Sequence, residues 1–203
     1  MPTRRRLEPE QSRTLILDAT ERVMLTEGYA AVSTRRVAVE AGMKPPLVHY
    51  YYPATDDLLL ALFRRMGERL RERIEEALAS EHPIRALWEM NVHPRHAALA
   101  AEAMALANHR KAIRTELARQ VTLNREMQAQ AFARAFEQEG RKGPLRTPEG
   151  AMALLAGAAR ALVMEEGLGI SAGHEDARAF LEWCVEHLEE RAAAPARTAE
   201  PQS

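Results

Sequence analysis

The chain has 203 residues, of which 46% are hydrophobic and 28% are charged, and its formal net charge is −1. This composition excludes a disordered chain, while the near-neutral charge favours no class of partner. The single cysteine, Cys184, excludes an intrachain disulfide framework. No run of about 18 apolar residues is present and no apolar segment follows the first arginines, so we expect a cytoplasmic protein without a membrane span or a signal peptide.

Helix-forming residues dominate the sequence, and alternating β-branched runs are absent. The chain is therefore predicted to be all-α, with about nine helices in total. They are expected near residues 10–27, 34–41, 45–51, 55–79, 84–91, 94–108, 110–139, 148–167 and 174–192. Glycine and proline predict a loop over Gly140–Pro144, and the composition of residues 193–203 predicts a disordered tail.

Residues 33–51 show the spacing of a helix-turn-helix: a helix that Ser33 or Thr34 can cap, a tight turn at Gly42, and a short helix. A prolyl residue fits the first turn of that short helix, because the N–H groups there lack helical partners. In such a module the second helix enters the DNA major groove. We therefore predict a DNA-binding domain over residues 1–55, followed by a larger helical domain over 56–192.

The aromatic run of residues 49–52 supports the DNA-binding interpretation. Consecutive aromatic residues point all round a helix, so they cannot all be buried in one small module, and exposed aromatics more often mark a contact surface. His49, Tyr50 and Tyr51 end in donors for phosphates or base edges, and Lys44 adds a positive charge. Apolar surface that a thymine methyl group could contact comes from Pro45, Pro46 and Leu47.

The segment "TRRVAVEAGMKPPLVHYYYPATDDLLLAL", residues 34–62, resembles the DNA-binding segment of the TetR family of bacterial transcriptional regulators. The residues that match the family pattern directly are Thr34, Ala38, Ala41, Gly42, Tyr51 and Leu58, and the close substitutes are Val37, Met43, Val48 and Tyr52. With the first helix, the resemblance covers about residues 12–62. The rest of the chain agrees with the family in length and helical layout.

The resemblance implies a set of DNA contacts, which are Thr34, Arg35, Pro45, Pro46, Leu47, His49, Tyr51 and Thr55. At four of the motif positions this chain departs from the usual residue. Lys44 replaces a serine, Pro46 a glycine, His49 a tyrosine and Thr55 a lysine. These departures bear on the operator sequence and on the strength of the backbone contacts.

The cluster Arg4-Arg5-Arg6 precedes the first predicted helix. It fits a flexible arm that contacts phosphates or enters the minor groove, as basic arms do in other DNA-binding proteins. A solvated start of the chain without a partner fits it equally well.

Residues 150–164 are apolar on every face of the predicted helix except at Arg160. A helix of this kind must be buried all round, and it is too short for a membrane. We therefore expect it to contact its own domain on one side and a second subunit on the other, together with the last helix. The resemblance implies the same homodimer. The predicted interface residues are Met152, Leu155, Ala159, Val163, Phe180, Leu181, Cys184 and Leu188.

A small apolar or amphipathic effector is expected in the larger domain, because methionine side chains adapt to varied apolar ligands. The candidate residues are Met66, Leu70, Trp88, Met90, Asn91, Met104, Asn108, Asn124, Met127 and Met164. For any single methionine among them, ordinary core packing is the favoured explanation, and the asparagines are candidate polar anchors.

No motif for a catalytic serine, a nucleotide or a phosphate is present. His93 and His96 have a spacing that metal sites use, but no third ligand type lies near, so we predict neither a metal nor a cofactor. Cys184 lies on the apolar stripe of its helix and is expected to be an inert thiol.

The sequence therefore predicts a non-enzymatic, homodimeric regulator, a repressor that binds a palindromic operator and is released by an effector. The helix that begins at Thr55 is expected to link the two domains. The alternative is a helical enzyme or small-molecule carrier whose N-terminal module only mediates protein contacts.

Overall fold

The computed structural model describes residues 8–137 and 145–193. Within these ranges the chain forms nine α-helices, a short 3-10 turn at Tyr29–Ala31 and no strand, which confirms the predicted all-α fold. The helices are α1 (Pro9–Glu27), α2 (Thr34–Glu40), α3 (Pro45–Tyr51), α4 (Thr55–Leu78), α5 (Pro83–Val92), α6 (Pro94–His109), α7 (Lys111–Glu137), α8 (Pro148–Gly167) and α9 (His174–Ala193). The Arg4–Arg6 cluster, the predicted loop at Gly140–Pro144 and residues 194–203 lie outside the described ranges.

Local sequence signals explain where the helices begin. Ser33 Oγ accepts a hydrogen bond from Arg36 N at 3.1 Å, and Thr147 Oγ1 accepts one from Gly150 N at 3.1 Å, so each caps the helix that follows it. Proline is the first residue of α1, α3, α5, α6 and α8. Its missing N–H would have had no helical partner in the first turn. These caps and prolines are why the predicted bounds lie close to the observed ones.

The chain divides into two compact units. Unit 1 comprises the described residues up to Arg69 together with Leu99–Arg119, and unit 2 comprises Leu70–Ala98 together with the described residues from Gln120 onwards. These bounds differ from the predicted domain division after residue 55, because the first part of α4 and the middle segment Leu99–Arg119 cluster with the first three helices. The helices α4, α6 and α7 each contribute residues to both units.

Unit 1 has one apolar core to which α1, α2, α3, α4, α6 and α7 all contribute. Its side chains with no exposed surface include Ile16 of α1, Val37 of α2, Val48 of α3 and Leu58 of α4. Each of the two short helices, α2 and α3, has only seven residues. A helix of that length is not stable alone in water, so this shared core is what holds both of them in place.

Unit 2 has a second core, formed by α4, α5, α7, α8 and α9. From α8 it takes Ala151, Met152, Leu155 and Ala159, and from α9 it takes Val185 and Leu188. The opposite face of the α8–α9 pair is apolar yet exposed. Its members are Leu154, Met164, Leu168, Phe180 and Trp183, with exposed fractions from 52% to 77%.

The predicted interface residues divide between the core of unit 2 and its surface. Met152, Leu155, Ala159 and Leu188 are at most 7% exposed and belong to that core, so they present little surface to a second subunit. Val163, Leu181 and Cys184 are half-buried, and Phe180 alone of the eight is fully exposed. The sequence showed that α8 is apolar all round, but it could not show which side the chain itself covers.

Burial raises the pKa of the Cys184 thiol, which keeps it in its unreactive form near neutral pH. No helix in residues 8–137 and 145–193 is long and apolar enough to cross a membrane.

Candidate DNA-binding surface

A glycine turn joins α2 to α3. Gly42 has φ of +64°, a left-handed conformation that side chains with a Cβ rarely adopt. Met43 N donates to Ala38 O at 2.9 Å across this turn, which satisfies a carbonyl at the end of α2. The turn therefore reverses the chain within two residues and places α3 against α2.

Two buried side chains hold α3 in unit 1. Val48 has no exposed surface, and Tyr52, just beyond the end of the helix, is 8% exposed. Burial also raises the pKa of the Tyr52 hydroxyl. Because these residues occupy one side of α3, the other side faces solvent. Its exposed residues are Pro45, Pro46, Leu47, His49 and Tyr50, with Lys44 at the N-cap.

The three consecutive tyrosines have three different environments. Tyr50 is 76% exposed, Tyr51 is half-buried and Tyr52 is buried. This agrees with the expectation that consecutive aromatic residues cannot all be buried in one small module. The rings of Tyr50 and Tyr51 meet edge to face, with 5.3 Å between their centroids. The guanidinium of Arg13, on α1, lies 5.8 Å from the centroid of the Tyr51 ring. Tyr51 is therefore positioned by α1 as well as by α3.

Arg13 is a residue of this region that no motif in the sequence indicates. No spacing rule connects a residue of α1 to one of α3, because the contact depends on how the two helices pack. Arg13 places a positive charge beside Tyr51.

The start of α2 carries two arginines with different roles. Arg36 pairs with Glu27 at 2.5 Å and with Glu40 at 3.1 Å, and the Glu27 carboxylate raises its pKa. Arg35 is exposed and takes part in neither of these ion pairs. Thr34 is half-buried at the first position of the helix. Of the predicted contacts at this end, Arg35 is thus the charge that is accessible from outside.

Ion pairs also connect α4 to α1 within unit 1. Arg65 has only 15% of its side chain exposed, and it contacts Asp18 at 2.6 Å and Glu21 at 3.3 Å. At the start of α4, Asp57 Oδ2 accepts a hydrogen bond from Ala54 N at 3.1 Å, and Thr55 is half-buried. Arg110 pairs with Asp56 in the same region. These contacts fix α4 against the module that carries α3.

A carboxylate from α6 contacts the turn before α2. Glu102 Oε2 accepts a hydrogen bond from Tyr29 N at 2.8 Å, and its oxygens lie beneath Gly28, whose φ is +79°. The two residues are 73 positions apart, so no local pattern could have predicted the contact. The path of the chain into α2 therefore depends on a residue of α6.

The predicted effector residues do not form one cluster. Leu70, Trp88, Met90 and Met127 belong to the core of unit 2, whereas Met66 packs against the core of unit 1. Met104, Asn108 and Met164 are exposed. Asn91 Nδ2 donates to Leu87 O at 2.8 Å, and Asn124 is buried at 8% exposure.

Met90 also lines an open cleft of about 410 Å³ in unit 2. Its lining residues include Arg73, Glu76, Glu89 and His93 together with Met90 and three small residues. The rings of His93 and His96 are 4.9 Å apart, and His96 contacts Arg73. Within the described residues, no group of three or more potential metal ligands gathers here or elsewhere.

These features define a helix-turn-helix module: two short helices joined by a glycine turn, with the second helix held from one side and exposed on the other. Comparison with known proteins agrees. Residues 16–62 match the model of the bacterial regulatory proteins of the tetR family. The HTH-type transcriptional regulator BetI of Brucella suis biovar 1 is 36% identical over 89 residues, which is 42% of this chain and 44% of BetI. The match thus spans less than half of that relative's length.

Solved structures extend the similarity over the whole fold. A TetR transcription regulator from Haloarcula marismortui superimposes with a TM-score of 0.68 at 21% identity, over 90% of this chain and 97% of that one. A protein from Saccharomonospora viridis solved in complex with choline gives a TM-score of 0.69 at 19% identity, over 88% and 97% of the two chains. Residues 16–62 therefore match the DNA-binding segment of the TetR family, and the described chain shares the fold of solved members of that family.

The contact between Glu102 and Tyr29 leads to a prediction about local stability. Glu102→Leu removes the acceptor of Tyr29 N–H, and we expect that amide to exchange with solvent about fivefold faster, as loss of a hydrogen bond worth ~1 kcal/mol implies. Amide exchange followed by NMR measures this directly. Glu102→Gln is the matched control, because its amide oxygen can still accept. Equal exchange rates at Tyr29 in the wild type and in Glu102→Leu would show that the contact does not hold the turn.

Proposed function

We propose that the chain is a transcriptional repressor that binds a palindromic operator as a homodimer and leaves it when a small molecule binds to unit 2. One observation carries the proposal. The buried Val48 and Tyr52 hold α3, while the opposite face of the same helix is solvent-exposed and rich in hydrogen-bond donors. Within a core-forming module, such a face is best explained by a partner that it contacts.

The exposed residues of α3 suit the DNA major groove. Lys44 supplies a positive charge for a phosphate, and His49 and Tyr50 supply donors that can reach a phosphate or a base edge. Arg35 at the start of α2 adds a second accessible charge. Thr34, Tyr51 and Thr55 are half-buried, so we assign them the hydrogen bonds that orient the module on the backbone.

The exposed apolar face of α8 and α9 supports the homodimer. Phe180 and Trp183 stack with 5.9 Å between ring centroids, and Trp183 and His187 with 5.6 Å, so the aromatic surface is continuous along α9. With Leu154 and Met164 of α8 it would be an aggregation hazard if it stayed in water. Two-fold pairing through this face presents two identical α3 helices, which is why the operator should be palindromic.

Release by an effector requires unit 2 to influence unit 1. The helices α4, α6 and α7 run through both units, and two of them hold the DNA-binding module directly, α4 through Arg65 and α6 through Glu102. A ligand that binds more tightly to the DNA-incompetent arrangement would shift the equilibrium, and a coupling of about 1–3 kcal/mol is usual. The sequence predicts this role for α4, and the contact of Glu102 with Tyr29 makes α6 a second route.

The first test of this function concerns DNA. Tyr50→Ala and His49→Ala remove exposed donors of α3, so we expect affinity for DNA from the promoter region to fall at least about tenfold at fixed salt. The thermal melting of the variants should stay unchanged, because neither side chain is buried. Gel shifts and melting curves measure the two quantities.

A matched control separates contact from folding. Val48→Ala lies on the buried side of the same helix and should lower the melting temperature, because it leaves a cavity in the core. Wild-type DNA affinity in both Tyr50→Ala and His49→Ala would remove this face from the binding site. An effect of His49→Ala at some sequences only would indicate a base contact rather than a phosphate contact.

The second test concerns assembly. Leu154→Glu puts a charge on the exposed apolar face, so we expect a folded monomer by light scattering with little change in helical content. Ala159→Glu instead buries a charge in the chain's own core, and we expect it to unfold unit 2. A stable dimer of Leu154→Glu at micromolar concentration would show that this face is not the interface.

A further inference from the structure

Asn124 has a buried polar atom without a partner. The residue is 8% exposed, and its Oδ1 is buried and accepts no hydrogen bond from the described residues. By contrast, Asn91 donates to Leu87 O and Asn108 is exposed to water. Leaving a buried amide oxygen unpaired costs about 1–3 kcal/mol. A donor that offsets this cost must come from outside the described residues.

The position of Asn124 on α7 shows what surrounds it. Residues three or four apart on a helix share a face. Gln120, one turn earlier, is 5% exposed and accepts a hydrogen bond from Arg71 of α4. Met127, one turn later, packs against the apolar core of unit 2. Asn124 therefore lies on α7 between the polar pair Arg71–Gln120 and the apolar core of unit 2.

That core contains the aromatic and flexible side chains that ligand sites use. Trp88, at 4% exposure, belongs to it, and Leu70, Met90 and Met127 pack against it. Methionine has three rotatable bonds and can move aside to admit an apolar body. A molecule bound next to Asn124 would therefore bury its apolar part among these residues.

Charge restricts the ligand further. Among the described residues of unit 2, the buried polar side chains are Gln120, Asn124 and His174, with no buried Asp, Glu, Lys or Arg. A charged ligand would lose its hydration without gaining a buried opposite charge, because the nearby guanidinium of Arg71 is half-buried and already donates to Gln120. A carboxylate would also be repelled by the Asn124 oxygen, and a quaternary ammonium has no N–H to donate to it.

We propose that Asn124 anchors a neutral, largely apolar effector that donates a hydrogen bond, from a hydroxyl or an amide N–H, to Oδ1. A primary or secondary amide fits best, because Asn124 Nδ2 can donate to its carbonyl in return. The inference rests on the proposed regulatory function, since it names the chemical class of that regulator's effector. Choline, the ligand of the Saccharomonospora viridis protein, is a quaternary ammonium and falls outside this class.

Four probes with one octyl tail test the proposal by calorimetry on the full chain without DNA: octanamide, 1-octanol, octanoate and octyltrimethylammonium. We expect octanamide and 1-octanol to bind, and each charged probe to bind at least about tenfold more weakly.

Asn124→Leu keeps the side-chain volume and removes the amide, and should weaken octanamide binding about 3- to 10-fold, as one hydrogen bond implies. Its melting temperature should not fall, because the unpaired oxygen is gone. Asn108→Leu, at an exposed asparagine, is the control and should bind like the wild type.

Three results would overturn the assignment. They are charged probes that bind as tightly as octanamide, equal octanamide affinity in Asn124→Leu and wild type, and no binding of octanamide or 1-octanol up to their solubility limits. The last result would mean that only a water fills the site. The probe comparison uses the wild-type chain, so it holds even if Asn124→Leu fails to fold. A gel shift of promoter DNA with the same protein distinguishes failure of this proposal from failure of the proposed function. If the protein binds DNA but none of the neutral probes, the proposed effector class is wrong and the proposed regulatory function stands.

Discussion

The structure depends on how unit 1 buries one side of a helix too short to exist alone. The seven residues of α3 cannot form a stable helix in water on their own. The helix is held in place because Val48 and the adjacent Tyr52 are buried in a core shared with α1, α2 and α4. This constraint separates the roles of neighbouring residues. Side chains that point inward set the helix in place and carry no information about a partner, while Tyr50 and His49, which point outward, are free to contact one. The turn at Gly42 precedes α3, and the contact of Arg13 with Tyr51 lies at its last residue. Both help to fix the position of the helix.

The same division between a covered and an uncovered face recurs in α8 and α9. Small residues such as Ala151 and Ala159 allow close packing on the core of unit 2, and the opposite face keeps Leu154, Phe180 and Trp183 in solvent. In the account proposed here, DNA covers the exposed face of α3 and a second copy of the chain covers the exposed face of α8 and α9. The buried oxygen of Asn124 is a third group that lacks a partner among the described residues, and it points to a small molecule rather than a macromolecule because it is buried.

Much of this fold could be predicted from the sequence, since its signals are local. Ser33 and Thr147 cap helices, five helices begin on proline, and the glycine turn before Pro45 marks the helix-turn-helix, so element types and bounds followed directly. What failed was the assignment of faces. Periodicity showed that α8 is apolar all round, but it could not show that the rest of the chain covers the side with Ala159 and leaves the side with Leu154 exposed. Contacts between distant residues, such as Glu102 with Tyr29, leave no local signal at all. The asparagines show the same limit, because only the packed structure distinguishes Asn124 from Asn91 and Asn108.

The central claim is that the outward face of α3 reads DNA as one half of a two-fold pair. Selection of bound sequences from a random duplex pool by the purified full chain tests it most directly, with deep sequencing of the recovered DNA at fixed salt. The account predicts enrichment of one inverted repeat, whose half-site centres lie about one helical turn apart or a multiple of it. Replacement of His49 should alter the same positions in both half-sites if His49 contacts a base, and should leave the motif intact with weaker recovery if it contacts only phosphate. Recovery of sequences without any shared motif, or of a motif without two-fold symmetry, would contradict the account.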